Sequence, residues 1–77
     1  MFRHRIPRHV EVDWSSRRGQ RIPIVEARTF VFGEPAVADK EGRQVEGMIC
    51  WDPAQGWVLD VPPAALAEAL EDDDAPG

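Results

Sequence analysis

Cysteine is almost missing from this chain. Cys50 is the one thiol in 77 residues, which excludes an intrachain disulfide and a cysteine-rich zinc site. A lone thiol suits a reducing compartment. Long apolar runs are missing too, and none approaches the roughly 18 residues that a membrane-spanning helix needs. The basic start is not followed by an apolar stretch, so it does not read as a secretory leader. Ser15 and Ser16 are the only serines. No glycine pattern of the phosphate- or dinucleotide-binding kind occurs. These absences point to a cytoplasmic protein with no membrane segment and no obvious nucleophile.

Charge is present but unevenly placed. Residues 1–21 hold six arginines against Glu11 and Asp13, a net +4, and residues 22–77 hold three basic and twelve acidic side chains, a net −9. The chain as a whole stands at −5. Such polarity governs encounter and solubility rather than fold. A chain of this length makes one domain and buries only about 60% of its unfolded surface.

Period-2 patterns dominate from Val10 to Val61. Val10, Val12 and Trp14 alternate with Glu11 and Asp13, as in a half-buried strand. Gly19 sits in a polar stretch that reads as a turn. Residues 22–32 are rich in β-branched and aromatic side chains. Their parity is broken near Glu26, where a bulge would rephase the faces. Pro23 lacks a donor and marks an edge or a strand start. Asp39-Lys40-Glu41-Gly42 reads as a type I turn closed by a left-handed glycine. The clearest unit is "VEGMICWDPAQGWVLDV", two alternating runs joined by the turn signal "DPAQG". It brings Trp51 and Trp57 across from one another. Then "PPAALAEALE" reads as a helix. Proline suits its first turn, Asp60 is an upstream cap candidate, and Leu66 and Leu70 form its apolar stripe.

The expected fold is α+β: a small antiparallel sheet of four to five strands with one C-terminal helix. The sheet is expected as a meander that could curl into a barrel-like form. Strands are expected at 10–14, 22–32, 36–38, 45–51 and 57–61, and the helix at 63–71. Residues 1–8 read as a basic N-terminal arm, 9–71 as the single domain and 72–77 as an acidic disordered tail. The core should draw on Val12, Trp14, Ile24, Phe30, Phe32, Ile49, Trp51, Trp57, Leu59, Leu66 and Leu70.

Chemistry is harder to find. Cys50 lies between apolar neighbours and reads as a small core residue rather than a nucleophile. His4 and His9 have no metal-ligand spacing. The pairs Glu11/Asp13 and Glu46/Asp52 read as solvated strand faces, not as an acid–base pair. No catalytic residue, metal site or cofactor is expected, and the chain does not read as an enzyme.

The expected function is that of a small protein-binding module, an inhibitor or an accessory or structural subunit, acting through a bipolar charged surface. A hetero- or homo-oligomeric protein partner is expected, with no membrane and no small-molecule cofactor. Trp57, Arg18 and Arg17 are the protein-contact candidates. Tryptophan and arginine are enriched at interface hot spots, and opposed charge zones orient a partner. The alternative is nucleic-acid binding through the arm arginines Arg3, Arg5 and Arg8 and the loop ending at Arg21. The acidic remainder of the chain works against it.

Overall fold

A computed structural model of the chain describes residues 7–71. The elements run in the order β1 (Arg8–His9), a single 3₁₀ turn (Trp14–Ser16), β2 (Arg21–Pro23), β3 (Pro35–Lys40), β4 (Arg43–Asp52), β5 (Gly56–Asp60) and α1 (Pro63–Glu71). The class is α+β, one five-stranded sheet and one helix. Among the described residues no helix is long and apolar enough to cross a membrane.

The strand order is β1-β3-β4-β5-β2. The meander holds for β3, β4 and β5, but β2 lies beyond β5 instead of beside its sequence neighbours. The sheet is also not strictly antiparallel, since β1 runs parallel to β3 with Arg8 opposite Ala36. Nor is it closed. After β1 the chain donates from Val10 N–H to Val37 at 2.9 Å, then makes a lone bridge between Val12 and Ile24 at the far edge of the sheet.

Two expected strands are much shorter than their composition suggests. Residues 10–14 form no strand, joining the sheet only by the Val10 bond and the bridge at Val12 before Asp13 turns the chain. Its carboxylate accepts from the Ser15 N–H and from the Ser15 and Ser16 hydroxyls at 2.7–3.1 Å, and the bond to the main chain competes with a ladder. Residues 22–32 stay in the sheet only as far as Ile24, whose N–H reaches Trp57 at 3.0 Å. Beyond it there is no bulge but a loop. Glu26 holds the loop, accepting from Glu11 N–H at 2.8 Å and from Arg28 at 2.6 Å. The broken parity at Glu26 and Arg28 therefore reflects a clamp.

The β3–β4 turn is tighter than expected. Lys40 pairs with Arg43, and the two residues between them, Glu41 (φ 52°) and Gly42 (φ 86°), are both left-handed. That is the mirror-image turn which matches strand twist. The helix lies at its expected bounds, but Asp60 does not cap it. Asp60 turns to Gln20 at 3.2 Å and Arg21 at 3.7 Å instead.

The core lies between one sheet face and α1. Ile22, Ala36, Ala38, Val45, Ile49 and Leu59 meet Leu66 and Ala69 of the helix, with Val10, Phe30 and Val61 around them. Each fully buried Ile or Leu among them contributes about 1.5–3 kcal/mol. Trp51 and Phe32, both expected here, are instead 52% and 66% exposed. Lys40 is buried, its ammonium 5.8 Å from the Trp14 ring centroid and 3.7 Å from Glu41.

Candidate protein-binding surface

The β4–β5 hairpin carries the contact candidate Trp57. Asp52 opens its turn, accepting from the Ala54 N–H at 2.7 Å and from Arg21 at 3.2 Å. Gly56 closes it in the left-handed region at φ 84°. The tight turn sets Trp51 opposite Trp57, with ring centroids 5.4 Å apart and planes at 79°. Trp57 also meets Phe30 at 5.8 Å, and the Arg8 guanidinium lies 5.7 Å over the Phe30 ring. An aromatic row thus leads outward from Phe30 through half-buried Trp57 to exposed Trp51.

A second apolar turn lies nearby. Glu34 N–H reaches Val31 at 3.1 Å, and Gly33 is left-handed at φ 88°. This puts Phe32 at a turn tip, which explains its exposure; Val31 is 60% exposed. Gly33 N–H donates to Ile49 at 2.6 Å, so the turn sits two residues along β4 from Trp51.

The arginine loop runs along β5 toward its far end: Arg21 stands opposite Asp60, and the Val61 N–H donates to the Gln20 carbonyl at 3.0 Å. Arg18 and Arg21 exchange main-chain bonds of 2.8 and 3.0 Å around Gly19, whose φ is 61°. The Gln55 side chain, in the hairpin turn, donates to the Ser16 carbonyl at 3.0 Å. That bond joins the tryptophan hairpin to the segment carrying Arg17 and Arg18. Arg17 spans its own loop to Gly19 at 2.8 Å. The Arg18 side chain is exposed and makes no hydrogen bond or ion pair among the described residues. The fold therefore sets Trp57 beside Trp51 and ties their hairpin to Ser16, next to Arg17, while Arg18 lies beside Arg21 toward the Asp60 end of β5. Parity assigned Trp51 to the core face; the hint against it was its place next to the turn, where that face outruns its cover.

Other basic residues are already engaged. Arg8 pairs with Glu34 at 3.1 Å and donates to the Thr29 carbonyl at 3.2 Å. Arg8, read as the end of the arm, belongs to β1. Arg21 is shared between Asp52 and Asp60, and Arg28 pairs with Glu26. Arg3 and Arg5 of the arm, His4, and the acidic tail at 72–77 lie outside the described residues.

The titrating groups are tuned toward structure. Hydrogen bonds from the two serines hold Asp13 below the usual carboxylate range, the Arg28 bond does so for Glu26, and the Ala54 N–H does so for Asp52. A general acid needs the opposite shift. Burial, then the Asp60 charge, pushes the Cys50 thiol up, away from the thiolate a nucleophile uses. A polar cleft of about 380 Å³ is lined by His9, Val10, Glu11, Glu26, Asp39 and Gln44. Among the described residues no group of three or more His, Cys, Asp or Glu side chains is placed to hold a metal ion.

Comparison of the chain with protein-family models, with curated proteins and with solved structures finds no match.

Proposed function

We propose that this chain is a small, non-enzymatic protein-binding module that works through the hairpin end. Trp51 and Trp57 supply the apolar anchor and Arg18, with Arg17, the polar rim. The observation that carries the reading is the half-exposed Trp51, packed edge-on against Trp57, on a hairpin whose Gln55 is bonded to Ser16 at the start of the arginine segment. Aromatic anchors ringed by arginine are the composition of interface hot spots. As an inhibitor or an accessory subunit, the module covers a face of its partner. Residues 7–71 carry seven basic and eleven acidic side chains, a net −4. That charge favours a protein surface over a phosphate backbone.

The test compares the tagged full chain with Trp51→Ala and Arg18→Glu variants in pull-downs from native lysate. Duplex and single-stranded DNA are titrated in parallel at low and high salt. A protein retained by the parent and lost from both variants, with no DNA bound at low salt, is the expected result. Retention unaffected by either substitution removes the surface. DNA binding with a steep logarithmic salt slope replaces this reading with the nucleic-acid one.

A further inference from the structure

A groove on another part of the sheet points to the kind of segment a partner would offer. β5 pairs with β4 only from Met48 to Asp52. The first half of β4 has β3 on one side and, among the described residues, no strand on the other. Past Asp60 the chain turns through Pro62 into α1. Arg43 ties the helix down from the other end, donating to the Glu68 carbonyl at 3.3 Å. Between helix and strand lies an open groove of about 380 Å³ lined by Pro35, Glu46, Gly47, Met48, Asp60, Pro62 and Ala65.

Its chemistry is one-sided. The two prolines offer no N–H. Ala65 and Met48 are apolar, and Met48 is 51% exposed; its thioether adapts to varied shapes. The polar side chains are both carboxylates. Glu46 is exposed and makes no hydrogen bond or ion pair through its side chain among the described residues. Asp60 shares Arg21 with Asp52. The main chain adds a third feature. Ile49 N–H bonds toward Glu34, on the β3 side. Antiparallel alternation then turns the N–H and C=O of Glu46 the other way, beyond the end of β5.

We infer that this groove docks an extended basic segment of a partner protein, with an apolar side chain seated against Met48 and Pro35 and a cationic one beside Glu46. The charge of the groove selects the occupant: Glu46 has no cation beside it among the described residues, and Asp60 shares a single arginine with Asp52, on a chain of net charge −5. Glu46's main-chain pair, turned past the end of β5, is placed to accept an added strand, the mode in which backbone bonds give affinity and side-chain pockets give specificity. The inference rests on the protein-binding reading, but it uses a surface separate from Trp51.

The experiment titrates the isotope-labelled full chain with the capped pentapeptide Arg-Leu-Arg-Leu-Arg and follows backbone amide shifts by NMR. Glu-Leu-Glu-Leu-Glu is the control. The expected result is a saturable shift at Glu46, Gly47, Met48 and Ala65 with the basic peptide alone. Glu46→Gln should weaken binding about threefold, the size of a partly exposed ion pair. Met48→Ala should weaken it about tenfold, from lost apolar contact. Both side chains are exposed, so neither change threatens the fold. Equal binding of the acidic peptide, shifts confined to the hairpin end, or binding only after residues 1–6 are removed would each overturn the inference. So would concentration-dependent dimerisation abolished by Met48→Ala, which would make a second copy the occupant. If the pentapeptide fails while Trp51-dependent capture persists, only the groove is lost. Loss of that capture with the groove intact would remove only the hairpin surface.

Discussion

A Cβ built on Gly47 falls 2.6 Å from the Asp60 carbonyl oxygen and 3.1 Å from a Leu59 side-chain carbon. The near neighbour is backbone, so β5 itself would have to move. Gly47→Ala is predicted to destabilise the protein by about 1–3 kcal/mol, the usual cost of overpacking. Thermal denaturation checks it; an unchanged midpoint would mean that β5 yields freely there. A second residue-scale prediction concerns acid. Folding lowers the pKa of Asp13, Glu26 and Asp52 through bonds from hydroxyl, guanidinium and main-chain donors. An unfolded carboxylate takes its proton near about pH 4. Between the folded and unfolded values the unfolded chain binds more protons, so stability falls as pH falls. The contribution is whole above about pH 4 and is lost as pH drops through the lower folded values. Asp52→Asn should flatten this acid limb, read as a smaller drop in urea midpoint between about pH 5 and about pH 2.

At the scale of elements, the β3–β4 turn places a glutamate where glycine or asparagine is at ease. Left-handed backbone costs an ordinary residue about 1–2 kcal/mol, and Glu41 gains back only an ion pair with Lys40 at 3.7 Å. Glu41→Asn is predicted to raise stability by about 0.5–1 kcal/mol, seen as a higher urea midpoint with an unchanged slope. A lower midpoint would show that the ion pair outweighs the backbone strain. The helix is the reverse case. Alone, nine residues are marginal in water, so α1 depends on Leu66 and Ala69 meeting Val45 and its neighbours. Leu66→Ala should cost about 2–4 kcal/mol and melt the helix together with the sheet, in one transition by far-UV circular dichroism. Separate transitions would mean that α1 folds without the sheet.

For the whole molecule, the question is where charge and apolar surface end up together. Arg8, Arg21 and Arg28 neutralise carboxylates of the same chain, while Arg18 does not. Trp51 stays half in water, backed by Trp57 and Phe30. Trp51→Ala should therefore lower stability modestly, by about 0.5–1.5 kcal/mol, the size of one aromatic pair. The same change should abolish partner capture. A loss of stability several times larger would assign Trp51 to folding instead of contact. Fluorescence gives an independent reading: exposed Trp51 should dominate quenching by iodide and be shielded once the partner is bound.

The hairpin and the helix were open to reading from the amino acids because their signals are local. "DPAQG" sets a turn between two alternating runs, and a proline with Leu66 and Leu70 sets a helix start and its buried stripe. The positions of β1 and β2 were not open to such reading. Two- and three-residue strands carry too little period to choose a neighbour, so the pairing of β2 with the edge of β5 and of β1 with β3 is set by tertiary packing. The same holds for the surface. Alternation says which side of β4 Trp51 takes, but only the finished sheet decides that this side runs out of cover at the turn. The tie between the tryptophan hairpin and the start of the arginine segment comes from one long-range bond, Gln55 to Ser16. The groove comes from where β5 stops and α1 crosses. Sequence by itself determined the α+β class, the main hairpin, the helix and the excess of acid, because propensity, period and charge act locally. Tertiary packing alone decided the strand order, the exposure of Trp51 and the tie from its hairpin to Ser16, because those depend on contacts between residues far apart in the chain.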